Sequence, residues 1–268
     1  MRKPETWMSQ SKMTDPAEHA AAIVRLPSEV AQLNEIIQGA LVHSDWLPAY
    51  GLTDVVFSRA TLPIAGRLRD IFGKDSSPLW NRRPPRKRSV GTCRDFALML
   101  TSFLRCQGVP ARIRCGFAAY LGDGWEDHWV CEYRDRCAHG WRLSDAQIDA
   151  VQRDLSRIDF DPADVPRRAF KTAGEAWREC RSGRSNADRL GCGETTGLWF
   201  VGVNVVRDHF ALNGREISAW DRWREAPKQA RIVDNGEAEL FDRLAADPEQ
   251  PLYDIAPAWL ARREKPPG

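Results

Sequence analysis

No stretch of this sequence stays apolar for the ~20 residues needed to cross a bilayer, so no membrane-spanning helix and no membrane partner are expected. The opening residues, "MRKPETWMSQSKMTDPAEHA", begin with basic side chains but lack the apolar run of a signal peptide. A cytoplasmic location follows as the expectation, in a compartment where thiols stay reduced. An excess of either charge is also missing: 39 Lys and Arg stand against 37 Asp and Glu, a formal charge of +2. Bulk electrostatics therefore gives no case for a nucleic-acid partner. There is no disulfide framework either. The seven cysteines, at 93, 106, 115, 131, 137, 180 and 192, are odd in number and irregular in spacing. No internal repeat is present.

What remains is an ordinary globular composition, 43% apolar and 28% charged, in a chain of 268 residues that can bury a sizeable core. Eleven tryptophans are scattered through segments such as "DHW", "WRL" and "LWF", which reads them as core and cleft aromatics. Residues 1–16 read as a flexible arm. In residues 26–46, Val30, Leu33, Ile36, Ile37, Ala40 and Leu41 make one apolar helical face, ended by "LPAYGL". Residues 75–89, ending in "PLWNRRPPRKRS", are a polar, proline-broken connection leading to "GTCRDFALMLTSFLRCQGVP".

That last segment predicts a helix beginning at Cys93, with Thr92 or Gly91 as its N-cap. Cys93, Phe96, Leu100, Phe103 and Leu104 share a face, and Gly108 and Pro110 mark the end. "ARIRCGFAAY", "DHWVCEYR" and "GWRLSD" read as strands, the last two joined by a short polar loop. Later, "AQIDAVQRDLSRIDFDPADVPRRAF" is charged and irregular with room for a short helix, and "GEAWRECRSG" and "DNGEAELFDRLAAD" read as helices. "LWFVGVNVVRDHFALN" reads as a buried element, helical in its second half. The order of elements predicts an α+β fold: a helix packed on a small antiparallel sheet, with N- and C-terminal helical extensions.

Symmetric pairing around "DRCAHG" sets Arg134 opposite Trp141, Glu132 opposite Leu143 and Val130 opposite Asp145. His128 and Asp145 then become diagonal neighbours on one face, roughly 7–8 Å apart by backbone. A one-residue slip would send them to different faces, and sequence does not fix the register. A thiol at a helix N-terminus is biased toward thiolate. A nearby histidine can complete an ion pair with it, and an aspartate can orient that ring and stabilise its cationic form. Cys93, His128 and Asp145 can fill those three catalytic roles. The Cys93 N–H can help bind an oxyanion, and the sequence names no second donor.

"GTCRDFALMLTSFLRCQGVPARIRCGF", "DHWVCEY" and "GWRLSD" together resemble the transglutaminase-like superfamily over about residues 89–146. "QGALVHSDWLPAYGL", "IDFDPADVPRRAF", "AGEAWR" and "NVVRDHFALN" resemble segments of stand-alone bacterial members whose activity is not established. The resemblance implies a papain-like core, with the nucleophile at Cys93, the base at His128 and the orienting acid at Asp145. It implies a catalytic domain over residues 17–195 and a helical extension over 196–268. It implies no metal and no cofactor, since the calcium-site segments of animal transglutaminases are not recognisable. Their extra β-sandwich domains are missing too, so protein cross-linking is not implied. Trp129 stands where many members carry a small residue, which is expected to narrow the acyl site.

Blander readings compete at each position. Alone, Cys93 is a small core residue, His128 a structural histidine and Asp145 a strand-ending turn residue. Asp149 is a weaker candidate for the orienting acid, and Asp127 should face away from the site. Cys131, Cys137 and His139 have a spacing that matches no standard zinc knuckle. Cys106 and Cys115 read as core, and His43 and His209 as packing residues. The basic run "RRPPRKR" reads as a solvated loop, or as a bias toward carboxylate-bearing substrates. The expected activity is acyl transfer or hydrolysis at an amide or thioester of a peptide, protein or carrier-bound acyl group. The alternatives are a non-catalytic binding module and a nucleic-acid-associated protein. Oligomeric state is left open.

Overall fold

The structure, a computed structural model, describes residues 4–135, 140–251, 253 and 255–261. The chain divides into two units, residues 1–114 with 128–169 and residues 115–127 with 170–268. Two of the three divisions fall inside strands, and the third falls just before one.

In the first unit the chain runs through α1 (Ala20–Val24), α2 (Val30–Ala40), β1 (Leu41–His43), α3 (Ile64–Lys74), β2 (Ser89–Gly91) and α4 (Cys93–Cys106). Then follow β3 (Ala111–Ala118), β4 (Trp125–Arg134), β5 (Trp141–Ser144) and α5 (Ala150–Leu155). The segment before α1, read as a flexible arm, is pinned through Pro4–Met8, a short 3-10 turn. Trp7 there is buried with the Arg112 guanidinium 5.0 Å from its ring, and Gln10 donates to the Ser102 carbonyl at 3.0 Å.

Helix α2 buries the expected face, with Leu33 and Ile37 out of solvent, but stops at Ala40. Its anticipated last turn is strand β1, which pairs in parallel with β2: Leu41 to Ser89, Val42 to Val90, His43 to Gly91. Helical periodicity cannot reveal a partner that far along the chain. Helix α4 starts and stops where its caps place it, yet residues Arg94 through Arg105 are all buried. It is an interior helix rather than one with a single apolar stripe.

Strand β3 alternates Ile113, Cys115 and Phe117 with Arg112, Arg114 and Gly116, a pattern that suggests one solvent face, yet the whole strand is buried. Arg112 and Arg114 are both bonded to Glu132 Oε2, at 2.8 and 2.9 Å, and Arg167 reaches Oε1 at 2.8 Å. Buried charges persist only when paired in this way. Strands β4 and β5 pair in antiparallel register, Arg134 to Trp141 and Glu132 to Leu143, as the symmetric hairpin requires.

The second unit takes in Cys115–Ala118 of β3 and Trp125–Asp127 of β4. It adds β6 (Phe170–Thr172), α6 (Ala173–Arg181), β7 (Leu190–Cys192), β8 (Thr195–Thr196), α7 (Leu198–Leu212), α8 (Asn235–Ala246) and α9 (Ala258–Ala261). β6 lies antiparallel to the β3 segment and β7 parallel to the β4 segment, so the pairing is mixed rather than antiparallel throughout. The long connection between β4 and β7 permits that parallel arrangement. Helix α7 is helical throughout and buried from Trp199 to Leu212, including the β-branched first half. Packing overrides local preference there: Trp177, Phe200, Trp220, Trp223 and Phe241 form one cluster around it. A Cβ at Gly202 would overlap the Phe241 ring, which is why the helix carries a glycine at that contact.

Candidate active site

Cys93 is the first residue of α4, half-buried, and its position depends on the cap. Asp95 Oδ2 accepts from the Thr92 N–H at 2.8 Å and from the Thr92 hydroxyl at 3.1 Å. Its other oxygen takes the Arg67 guanidinium at 2.6 Å, a buried ion pair. Arg67 also donates to Ser89 Oγ at 2.8 Å and to the Val90 carbonyl at 2.7 Å, bracing β2 where the chain enters the helix. Gly91 is needed there, because a Cβ would lie 2.9 Å from that of Asp95. Thr92 is the N-cap expected from sequence, whereas Asp95 and Arg67 were not singled out, although the T-x-x-D spacing is a capping-box signal.

The structure brings Cys93, His128 and Asp145 together. His128 Nε2 and Asp145 Oδ2 are 2.7 Å apart, and both side chains are almost fully excluded from solvent. Asp145 follows directly on β5. Its backbone N–H donates to the Pro162 carbonyl at 2.8 Å, and Oδ1 accepts from the Gln147 N–H at 3.1 Å. The carboxylate is thereby aimed at one ring nitrogen, which leaves Nδ1 for the hydrogen bond between His128 and the Cys93 thiol.

Burial by itself would push the Cys93 thiol up. Hydrogen bonds from His128 and His43, with the electrostatic attraction of the His128 ring, outweigh it and pull the thiol down to about 6. Burial likewise opposes the charged form of His128, but the Asp145 carboxylate and the thiolate raise it to about 10. The two shifts belong to one coupled pair, and both favour thiolate with imidazolium.

Four other candidates are accounted for elsewhere. Asp127 is bound to Arg207 at 3.2 Å, and Asp149 caps α5 by accepting from Val151 and Gln152. Cys131 is buried beneath Thr101, with its thiol pushed up to about 12 by desolvation. His209 Nδ1 lies 3.1 Å from the Pro248 carbonyl. Cys137 and His139 lie outside the described residues. Among the described residues no cluster of His, Cys, Asp and Glu could hold a metal, and no helix is long and apolar enough to cross a membrane.

Three sequence expectations change. The basic run is not simply solvated: Arg83 and Arg88 are buried, and Arg83 donates to the carbonyls of Asp75, Ser77 and Asn81. Arg82, Arg86 and Lys87 face Asp149, Asp54 and Asp75. Trp129 does not narrow an open acyl site, because it is 2% exposed and packs under Arg94. His43 is more than a packing residue, since it contacts the thiol. Only the pairing of β1 with β2 brings it there, and no local pattern signals it.

Among curated proteins no significant match to the chain is found. A solved structure of a candidate cysteine protease from Cytophaga hutchinsonii shares 16% identity with it, over 53% of this chain and 41% of that one, with a TM-score of 0.34. This chain thus spans about two fifths of that protein, and at that level of superposition the likeness carries no weight. The family model that does match is that of the transglutaminase-like superfamily, over residues 73–146. That span runs from the end of α3 past β5 and contains the thiol, the imidazole and the carboxylate, so the similarity to that superfamily lies over the site.

Proposed function

We propose that the protein is a cysteine-dependent enzyme that cleaves or transfers the acyl group of an amide or thioester. The observation that carries this reading is the Asp145–His128–Cys93 chain of hydrogen bonds, ending on a half-buried thiol at the start of a helix. In the reaction, the Cys93 thiolate attacks the carbonyl carbon and forms a carbon–sulfur bond. His128 protonates the departing amine or thiol as its bond to carbon breaks. Asp145 holds the ring with Nδ1 toward sulfur and stabilises its cationic form. The acyl-thioester is then discharged to water or to an amine, with His128 acting as base. Neutral imidazole beside a neutral thiol would make a poor nucleophile, whereas the pair here is poised as ions.

The test is the alkylation rate of every cysteine from about pH 5 to about pH 9, resolved by site, in wild type and His128→Ala. Fast reaction of Cys93 alone below neutral pH, lost without His128, is the expected result. A Cys93 that reacts no faster than the other cysteines would remove the nucleophile from the proposal and leave a non-catalytic binding module.

A further inference from the structure

The mechanism just described leaves His43 without a task, although it touches the same sulfur. His43 ends β1 and is 7% exposed. It stands opposite Gly91 in the parallel ladder, two residues before Cys93. Its Nδ1 accepts a hydrogen bond from the Asp45 N–H at 3.2 Å. A ring nitrogen that accepts carries no proton, so the proton of this imidazole is on Nε2. With Nδ1 engaged, Nε2–H is the group left to face Cys93. The ring is steadied by Phe96, in the first turn of α4, at 6.4 Å between centroids.

The two histidines beside the thiol are therefore wired differently. His128 has a carboxylate behind it, which favours the cation and suits a proton carrier. His43 instead takes the Asp45 backbone N–H on Nδ1, which leaves a single outward N–H on Nε2, while the Asp45 carboxylate acts on the ring through charge alone, with no hydrogen bond to it. A fixed donor suits a site where negative charge appears without a proton being transferred.

We infer that His43 Nε2–H is the second donor of the oxyanion hole, working with the backbone N–H of Cys93. That backbone N–H lies in the first turn of α4, where no carbonyl of the same helix can accept it. The inference rests on the reading of Cys93 as the nucleophile. Before reaction Nε2–H donates to the thiolate. As the carbon–sulfur bond forms, the π pair of the carbonyl moves to oxygen, so the negative charge leaves sulfur for an atom two bonds away. The donor follows the charge with little movement. When the carbonyl re-forms, the bond to the leaving group breaks and His128 supplies the proton.

The experiment compares acylation with alkylation at Cys93. Acylation is followed as the burst of p-nitrophenol from p-nitrophenyl acetate, and alkylation with iodoacetamide, which forms no oxyanion. Both are measured in wild type, His43→Ala and His43→Gln, above the thiol's titration. His43→Ala is expected to slow the burst about 10²–10³-fold while changing alkylation by less than about tenfold. His43→Gln should restore part of the burst, because its amide can donate from a similar place. Nitrogen-15 spectra of the wild-type histidines should show the His43 proton on Nε2, a readout that needs no variant to fold. Bursts and alkylation falling in equal proportion, an undiminished burst in His43→Ala, or the proton on Nδ1 would each overturn the assignment of His43. A wild type that alkylates rapidly at Cys93 yet gives no burst would instead overturn the acyl-transfer reading, and His43's role with it.

Discussion

The Arg94 guanidinium lies over the Trp129 ring, 4.3 Å from its centroid. Arg94 directly follows the candidate nucleophile and Trp129 directly follows the candidate base. The same two-residue steps of α4 and β4 therefore meet twice, once through Cys93 and His128 and once through this stack. A cation over an indole face is favourable when desolvated, and both side chains are buried. The stack fixes how the helix start meets the strand, and so fixes the sulfur relative to the imidazole.

Trp129→Ala should destabilise the protein by about 3–5 kcal/mol, the usual cost of deleting a buried tryptophan. A lower midpoint in urea, with an unchanged slope, is the expected reading. In the surviving folded protein, Cys93 should lose its alkylation advantage below neutral pH. Trp129→Phe keeps a ring for Arg94 and should lose less of both.

The pH dependence follows from the coupled pair. The thiol is lowered to about 6, so alkylation at Cys93 should rise through that region, while the buried Cys131, raised to about 12, stays inert. His128 is raised to about 10, so acylation by an amide donor should fall again as the imidazolium loses its proton there. A bell with apparent limbs near those values is expected, and they belong to the pair rather than to either residue.

Asp145→Asn should keep a hydrogen bond at His128 but remove the charge that stabilises the imidazolium. The pair then shifts toward neutral thiol and neutral imidazole. Acylation should fall on the order of 10³–10⁴-fold. The pH profile of Cys93 alkylation should move upward. A profile left where it is in wild type would show that Asp145 does not set the state of the pair.

Glu132 is a stability determinant away from the chemistry. Burial raises its carboxyl, but Arg114, Arg112 and Arg167 together hold it down to about 2. Glu132→Gln leaves buried guanidinium groups without their counter-charge and should cost about 3–5 kcal/mol at neutral pH. Because the folded-state value is depressed, the wild-type advantage is complete above the ordinary carboxyl value of 4.5 and fades as pH falls through about 2. Urea midpoints of the two proteins should therefore converge in acid.

The sequence carried the helix that begins at Cys93 clearly. The Thr92 start, the Gly108 stop and the apolar spacing between them are local signals, and α4 occupies that span. The hairpin register was legible as a consequence of symmetry about a short loop, and Arg134 does pair with Trp141. From that register alone, His128 and Asp145 share a face. Legibility failed where a partner is distant. The last turn anticipated for α2 became β1 because residues 41–43 pair with residues 89–91. The apparent solvent face of β3 became interior because Glu132 neutralises Arg112 and Arg114.

Local periodicity, capping residues and turn chemistry are short-range properties, so the sequence by itself determined helix α4, the strands that follow it and three residues able to share one chemistry, and left the register of β4 with β5 to be chosen by symmetry. The tertiary structure alone decided which side chains surround the sulfur. His43 arrives through a parallel pairing, Arg67 braces the cap of α4 through Asp95, and Trp129 turns under Arg94. The physical reason is that burial and ion pairing depend on distances across the fold, and no pattern along the chain encodes those distances.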